Sequence, residues 1–231
     1  VNINNVDHPM IIQERVSKEL IEFNKLRESS LLASNNNMIR LLRSKGNRFK
    51  DAYSSTIFPK NINSNWVKKN QVNQEIALNS LKQFGAAYQE IWSKDPDKYI
   101  SFRNKILSAG NIQNNQILSE FRVILLAMGA EHGIFNGNRR FYFDPFTNGF
   151  LPIYWDGDSR INDGYLINSK ITKNLETFLG YSFSTIDQTI FSNLIRKLEI
   201  IKIQDLVNEL NNLNVKVDNN QVKSILSNVI Y

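Results

Sequence analysis

The chain has 231 residues, of which 42% are hydrophobic and 22% are charged, and its formal net charge is +6. This composition is that of a folded globular protein and excludes a wholly disordered chain, a collagen-like rod and a long coiled coil. The net positive charge suggests an anionic partner. We find no signal-peptide pattern and no apolar run near the ~20 residues that a membrane-spanning helix needs. We therefore expect a soluble protein, whose compartment the sequence leaves open.

Residue usage limits the chemistry that the chain can perform. It contains no cysteine and only two histidines, which excludes disulfide scaffolds, thiolate nucleophiles and multi-histidine metal sites. Carboxylate and amide oxygens remain as candidate metal ligands, and these favour Mg²⁺ or Mn²⁺ over Zn²⁺.

Residues 1–70 are predicted to form an N-terminal helix followed by a basic irregular connection. Apolar residues recur at intervals of three and four between Ile12 and Leu26, as on the buried face of an amphipathic helix. Residues 40–50 then contain five basic side chains, and the stretch that continues to Asn70 has no sustained hydrophobic period. Nucleic-acid binding through this basic loop is a third functional hypothesis, but no recognisable module supports it. A solvated loop is the simpler interpretation.

Residues 71–231 are predicted to form a helical domain interrupted by one β-hairpin. Helical periodicity covers about residues 72–92, 95–108, 117–128, 169–179, 184–199, 203–213 and 218–229. The most apolar of these helices, at 117–128, is expected to be the central buried one. At about residues 139–156, two β-prone runs flank a turn that ends in Asn148-Gly149. The predicted fold class is therefore mainly α with a central β-hairpin.

The open end of this hairpin carries residue types that hold a hard metal ion. Asn138 precedes the first predicted strand and Asp156 follows the second, so antiparallel pairing brings the two close together. An amide oxygen and a carboxylate make half of a divalent-cation site, which phosphate oxygens and water complete. Enzymes of the protein-kinase type hold their nucleotide through such an Asn and Asp. Asp158 adds a second carboxylate nearby.

The same residues resemble the CotH kinase-like family, a group of atypical kinases named after a spore-coat protein. The similarity lies in residues 138–145, Asn-Arg-Arg-Phe-Tyr-Phe-Asp-Pro, and in residues 152–158, Pro-Ile-Tyr-Trp-Asp-Gly-Asp. Residues 23–28 add a weaker similarity. The resemblance implies the C-lobe of a protein-kinase-like fold. It also implies phosphoryl transfer to a protein or glycan-like acceptor that depends on ATP and on Mg²⁺ or Mn²⁺.

The resemblance also implies roles for individual residues. Asn138 and Asp156 would be metal ligands, and Asp158 would support that metal ion or hold a second one. Arg139 and Arg140 would contact phosphate groups.

The catalytic base is less well defined by the sequence. Kinase catalytic loops place an Asp about five residues before the metal-binding Asn, and Gly133 occupies that position here. Glu131 or His132 must serve instead, and His132 is the better base near neutral pH. No run of strands, glycine-rich phosphate loop or strand-borne lysine precedes the helices. We therefore expect a nucleotide-binding N-lobe to lie outside this chain or to be missing.

Each candidate residue also has a structural explanation. His132 suits a helix C-terminus, Asp156 and Asp158 suit a simple turn, and Arg139 and Arg140 have Asp144 and Asp163 as possible ion-pair partners. The second functional hypothesis follows from these explanations and from the missing N-lobe. In it, a non-catalytic kinase-like module binds a partner or an anionic ligand.

Overall fold

Helices surround a four-stranded antiparallel sheet in the computed structural model of this chain. The structure describes residues 2–3, 6–7, 16–34, 59–88, 103–128, 130–134, 138–156, 188–212 and 217–230. The strands are β1 (Asn2–Ile3), β2 (Val6–Asp7), β3 (Leu31–Ser34), β4 (Pro59–Asn61), β5 (Arg140–Asp144) and β6 (Gly149–Ile153). The helices are α1 (Lys18–Phe23), α2 (Ser64–Val67), α3 (Gln71–Ala87), α4 (Ile112–Ala127), α5 (Gln188–Glu199), α6 (Ile203–Asn212) and α7 (Asn219–Ile230). Residues 103–107 are also helical, and a 3₁₀ helix spans Glu131–Ile134.

The hairpin predicted at residues 139–156 is present as β5 and β6. The sheet has the strand order β4-β3-β5-β6, and Tyr142 lies opposite Leu151 in the hairpin. The Asp144 carboxylate closes the turn, since it accepts hydrogen bonds from the Phe146 amide at 3.0 Å and the Thr147 hydroxyl at 2.7 Å. Asn148 completes the turn with a φ of +55°, a value that Asn tolerates better than most residues.

Both faces of the sheet are buried. One face contributes Leu32, Phe141, Phe143 and Phe150 to the main core, which also contains Phe84, Tyr88, Leu107 and Leu118. On the other face, Leu31 and Tyr142 contact Ile21 of α1. The ring centre of Phe84 lies 5.2 Å from the ring centre of Phe141 and 5.6 Å from that of Phe150. The hairpin that carries the candidate site is thus fixed to α3 by aromatic packing.

The prediction that residues 1–70 contain only a helix and an irregular connection is wrong, because this range also holds the strands β1 to β4 and the short helix α2. β3 pairs with β4 and with β5, so the sheet joins segments on both sides of residue 70. β4 begins with a proline at the sheet edge, where the missing N–H breaks no ladder hydrogen bond. Of the helix predicted at residues 12–26, the structure describes Lys18–Phe23 as helical.

The long central helices agree with their sequence pattern. The side chains of Asn70 and Asn111 accept hydrogen bonds from the amides of Asn73 and Asn114, and so cap α3 and α4. Gly110 follows the helical residues 103–107 with a φ of +75°, which glycine adopts without strain. α4 lies between β6 and the C-terminal helices, the central place expected for residues 117–128.

The C-terminal helices pack against α4. Lys197 of α5 contacts both carboxylate oxygens of the largely buried Glu120 on α4, at 2.6 and 2.8 Å. Asp218 caps α7 through a 2.8 Å hydrogen bond from the amide of Gln221, as its position in the sequence predicts. The helix predicted at residues 169–179 lies outside the described residues. Among the helices described here, none has the length and apolar character needed to cross a membrane.

The fold class is therefore correct in part. The chain is rich in helix, but the predicted hairpin belongs to a larger sheet of four strands.

Candidate functional site

Three predicted site residues meet at the open end of the hairpin. The 3₁₀ helix after α4 positions His132, while Asn138 precedes β5 and Asp156 follows β6. Asn138 Nδ2 donates a hydrogen bond to the backbone oxygen of His132 at 3.0 Å. His132 Nδ1 lies 3.0 Å from the backbone oxygen of Asp156. The structure thus brings Asn138 and Asp156 to the same imidazole, and we call these three residues the hairpin-edge cluster.

Contacts with both neighbours bear on the histidine tautomer. The backbone oxygen of Asp156 only accepts hydrogen bonds, so this contact favours a proton on His132 Nδ1, as does the Asp156 carboxylate 3.7 Å from Nδ1. The Asn138 Nδ2 donor lies 3.3 Å from Nδ1 and 3.4 Å from Nε2, and it favours a lone pair on the nitrogen that it contacts. The side chains of His132 and Asp156 are each 51% exposed, so a ligand can reach them from solvent.

Asp156 has an uncommon backbone conformation. Its φ of +50° lies in the left-handed region, which Asp and Asn enter more readily than most other residues. Non-glycine residues held in this region are concentrated at ligand sites and turns. The left-handed conformation of Asp156 is therefore explained equally well by a ligand site and by a simple turn.

The cluster supplies two hard oxygen ligands. Because the Asn138 amide nitrogen donates to the backbone oxygen of His132, Oδ1 is the Asn138 atom that suits a cation. The Asp156 carboxylate is the second oxygen donor of the cluster. Within the described residues, no group of three or more His, Cys, Asp or Glu side chains is placed to hold a metal. Asp158 lies outside the described residues, and of Glu131 only the 3₁₀ backbone is described. Asn138 and Asp156 thus offer two oxygen donors of the kind that Mg²⁺ or Mn²⁺ prefers, out of the six that such an ion usually takes.

A small cavity of about 30 Å³ lies next to the hairpin-edge cluster, and we call it the arginine pocket. Four arginines line it: Arg103, Arg122, Arg139 and Arg140. The apolar part of its wall includes Leu107, Leu118, Phe121, Leu125 and Phe141. The pocket therefore combines guanidinium groups with an apolar floor.

Aromatic side chains hold three of these arginines in place. Tyr88 contacts two of them, because Arg139 Nη1 donates to its hydroxyl at 3.1 Å and the Arg103 guanidinium lies 5.5 Å from its ring centre. The Arg140 guanidinium lies 5.3 Å from the ring centre of Trp155. Burial lowers the pKa of Arg140, and the charge of the nearby Asp156 opposes this shift. Arg140 therefore lies between the arginine pocket and the hairpin-edge cluster.

Sequence reasoning identified Arg139 and Arg140 but missed the other two arginines. Arg122 follows Leu118 by four residues and precedes Leu125 by three, so it shares their buried stripe on α4. An arginine on an apolar stripe is the signal that would have indicated it. Arg103 is 1% exposed, and only the tertiary fold brings it to the pocket.

Comparison of the chain with protein-family models, with curated proteins and with solved structures finds no match. The similarity to the CotH kinase-like family therefore rests on the motif residues alone. The basic residues 40–50 and Asp163 lie outside the described residues.

Proposed function

We propose that this chain is a CotH-like kinase domain with a C-lobe-like fold. It would bind ATP with Mg²⁺ or Mn²⁺ at the hairpin-edge cluster and direct phosphoryl transfer to a protein or glycan-like acceptor. The observation that carries this proposal is the meeting of Asn138 and Asp156 at His132, at the hairpin edge where the family motif would place a metal nucleotide. Asn138 Oδ1 and the Asp156 carboxylate would hold the metal ion, which neutralises charge on the nucleotide phosphates when bound.

His132 would serve as the general base. In the tautomer with the proton on Nδ1, that proton is directed at the Asp156 carbonyl 3.0 Å away and Nε2 carries the lone pair. In the proposed reaction, the acceptor hydroxyl oxygen bonds to the γ-phosphorus and the bond between that phosphorus and the β–γ bridging oxygen breaks. The hydroxyl proton passes to Nε2, and the nucleoside diphosphate leaves. Glu131 remains the alternative base.

Arg139 and Arg140 would contact the phosphate groups. Arg140 is the better placed of the two, because its guanidinium lies on Trp155 and near the charge of Asp156. A guanidinium presents paired N–H donors that match two phosphate oxygens, and a fixed guanidinium loses little entropy when it binds them.

Metal-dependent nucleotide binding tests this proposal. We expect Mg²⁺-ATP to raise the melting temperature of the wild-type chain, because a ligand that binds only the folded state stabilises it. Asp156→Asn keeps the side-chain shape and tolerates the left-handed backbone, yet removes the metal-binding charge, so the shift should be lost. Asp205→Asn, at an exposed position in α6, is the matched control and should behave as wild type. An equal shift in all three proteins would rule out the assigned site.

A non-catalytic module is the second candidate, and the arginine pocket is the observation that favours it. Such a module would bind an anionic ligand or partner but would not consume ATP. ATP consumption assayed with and without His132→Gln separates the two candidates. Catalysis is supported if ATP turnover falls in the His132→Gln variant while nucleotide binding persists. A binding module is supported if neither the wild type nor the variant consumes ATP.

A further inference from the structure

We infer that Tyr88 is a positioning residue for phosphate binding, because its hydroxyl holds the guanidinium of Arg139. This inference rests on the proposed function, in which Arg139 contacts a phosphate group. It deepens that function by adding a residue that acts through Arg139 and does not itself contact the nucleotide. The sequence pattern places Tyr88 on the apolar face of its helix, where packing is the expected role.

The position of the Tyr88 ring is fixed by the main core. Tyr88 directly follows α3, and its backbone N–H donates to the backbone oxygen of Gly85 at 3.1 Å. Its side chain is 2% exposed, and its ring centre lies 5.0 Å from that of Phe84. A phenol packed in this way presents its hydroxyl at a defined point.

That hydroxyl connects the core to an arginine of the candidate site. Arg139 Nη1 donates to the Tyr88 hydroxyl at 3.1 Å, and Arg139 lines the arginine pocket. Tyr88 is not among the described residues that line the pocket, so it contacts the guanidinium from the side of the core. An arginine that is already restrained loses less side-chain entropy when it binds an anion. Tyr88 can therefore strengthen phosphate binding through Arg139.

The ring and the hydroxyl of Tyr88 have separable contacts. The ring packs against Phe84, and the Arg103 guanidinium lies 5.5 Å from its centre. The hydroxyl makes the hydrogen bond with Arg139. Tyr88→Phe removes the hydroxyl and keeps the ring. A change in phosphate affinity in this variant would thus report on the contact with Arg139.

The other face of the sheet offers a matched control. Tyr142 is 3% exposed, and its hydroxyl donates to the backbone oxygen of Arg27 at 2.9 Å. It belongs to the cluster that packs against α1, whereas Tyr88 belongs to the main core. Tyr142→Phe therefore removes a buried, hydrogen-bonded tyrosine hydroxyl away from Arg139.

Calorimetry with Mg²⁺-ATP compares the wild type with these two variants. We expect Tyr88→Phe to weaken binding about three- to tenfold, because Arg139 would then lose more side-chain entropy on binding phosphate. Tyr142→Phe should bind as wild type. Equal affinity of Tyr88→Phe and wild type would overturn the inference and leave the proposed function in place. Absence of Mg²⁺-ATP binding to the wild type would refute the proposed function, and the role of Tyr88 in it as well.

A double-mutant cycle distinguishes positioning from a general structural effect. If Tyr88 acts through Arg139, then adding Tyr88→Phe to Arg139→Gln should change the affinity for Mg²⁺-ATP by less than about twofold. A loss of the same size in both backgrounds would show that the hydroxyl acts by another route, and would overturn the inference.

Arginine labelling tests the contact between Tyr88 and Arg139 without nucleotide. Phenylglyoxal modifies accessible guanidinium groups, and peptide mass spectrometry gives the rate at each residue. We expect Arg139 to react at least about twofold faster in Tyr88→Phe than in the wild type, while Arg196, at an exposed position on α5, reacts at the same rate in both. Equal rates at Arg139 in the two proteins would show that the hydroxyl does not hold this guanidinium, whether or not the chain binds Mg²⁺-ATP.

Discussion

Gly149→Ala tests how closely the hairpin is packed against α4. A Cβ atom added at Gly149 would lie 2.3 Å from Asn114 Nδ2 and 3.2 Å from the backbone oxygen of Ser108. Asn114 is buried, and its Nδ2 donates to the Thr147 hydroxyl at 3.1 Å. The amide therefore cannot move aside without losing that hydrogen bond.

Three contributions determine how much Gly149→Ala changes the free energy of unfolding. Overpacking a tight site costs about 1–3 kcal/mol, and loss of the Asn114–Thr147 hydrogen bond costs about 1 kcal/mol. The lower entropy of the unfolded alanine chain offsets about 0.4–1 kcal/mol. We therefore expect the free energy of unfolding to fall by about 1–3.6 kcal/mol.

Urea unfolding monitored by circular dichroism measures this change, and Gly85→Ala is its matched control. A Cβ at Gly85 would meet Pro59 Cγ at 3.9 Å, an ordinary van der Waals contact, within helix α3. There we expect a gain of about 0.5–1 kcal/mol, because alanine is the better helix former. If Gly149→Ala unfolded at the wild-type urea concentration, or if both variants lost stability equally, the packing argument would be refuted.

Three further predictions concern other parts of the fold. Lys197→Met removes the cation that contacts the largely buried Glu120, and should cost about 1–3 kcal/mol in urea unfolding. Adding Glu120→Gln should restore part of this loss, and no recovery would contradict the pairing. Asp218→Ala removes the α7 cap and should cost about 1 kcal/mol, with faster amide exchange in the first turn of that helix and unchanged exchange in α3. Burial raises the pKa of Tyr142 to about 12, so the folded state holds this proton more tightly than the unfolded chain, whose tyrosines titrate near about 10. This stabilisation is complete below about pH 10 and is lost as the pH rises toward 12, so Tyr142→Phe should lose less stability than wild type over that interval in thermal melts. Equal losses in the two proteins would contradict the assignment.

The hairpin and the long helices could be predicted because their signals are local. The turn of the hairpin needs a side chain that caps amides and a residue that accepts positive φ, and Asp144 and Asn148 supply these four residues apart. The capping residues Asn70, Asn111 and Asp218 act within three residues of their own positions. Such features depend little on the rest of the chain.

Strand β3 could not be predicted, because it is buried on both faces and so lacks the alternation of apolar and polar residues that usually indicates a strand. Leu31, Leu32, Ala33 and Ser34 are all buried, so the strand shows no alternation between apolar and polar residues. The neighbouring serines are also buried, where their polarity would suggest a loop. Ser30 Oγ lies 2.7 Å from Ser80 Oγ and accepts from Asn61 at 2.9 Å, and these partners lie far away in sequence.

Some features of the candidate site could likewise be predicted from local sequence patterns, and others depend on the tertiary fold. The meeting of Asn138 and Asp156 follows from hairpin pairing alone, because the two residues flank paired strands. The place of His132 between them was not predicted, since it depends on where the 3₁₀ helix after α4 points. Arg103 reaches the arginine pocket only through the packing of its helical segment against Tyr88. Local patterns therefore indicated the edge of the site but not its positively charged cavity.

The hairpin carries residues of both the hairpin-edge cluster and the arginine pocket. Asp156 and Asn138 flank its strands, and Arg139 and Arg140 lie at the start of β5. The hairpin is fixed to α3 through Phe84 and to α4 through the close approach of Gly149 to Asn114, and α4 also carries Arg122. The spacing between the hairpin-edge cluster and the arginine pocket is consequently set by core packing. A ligand at either site would meet groups that are held in place before it binds, which is the condition under which a few charged groups give both affinity and specificity.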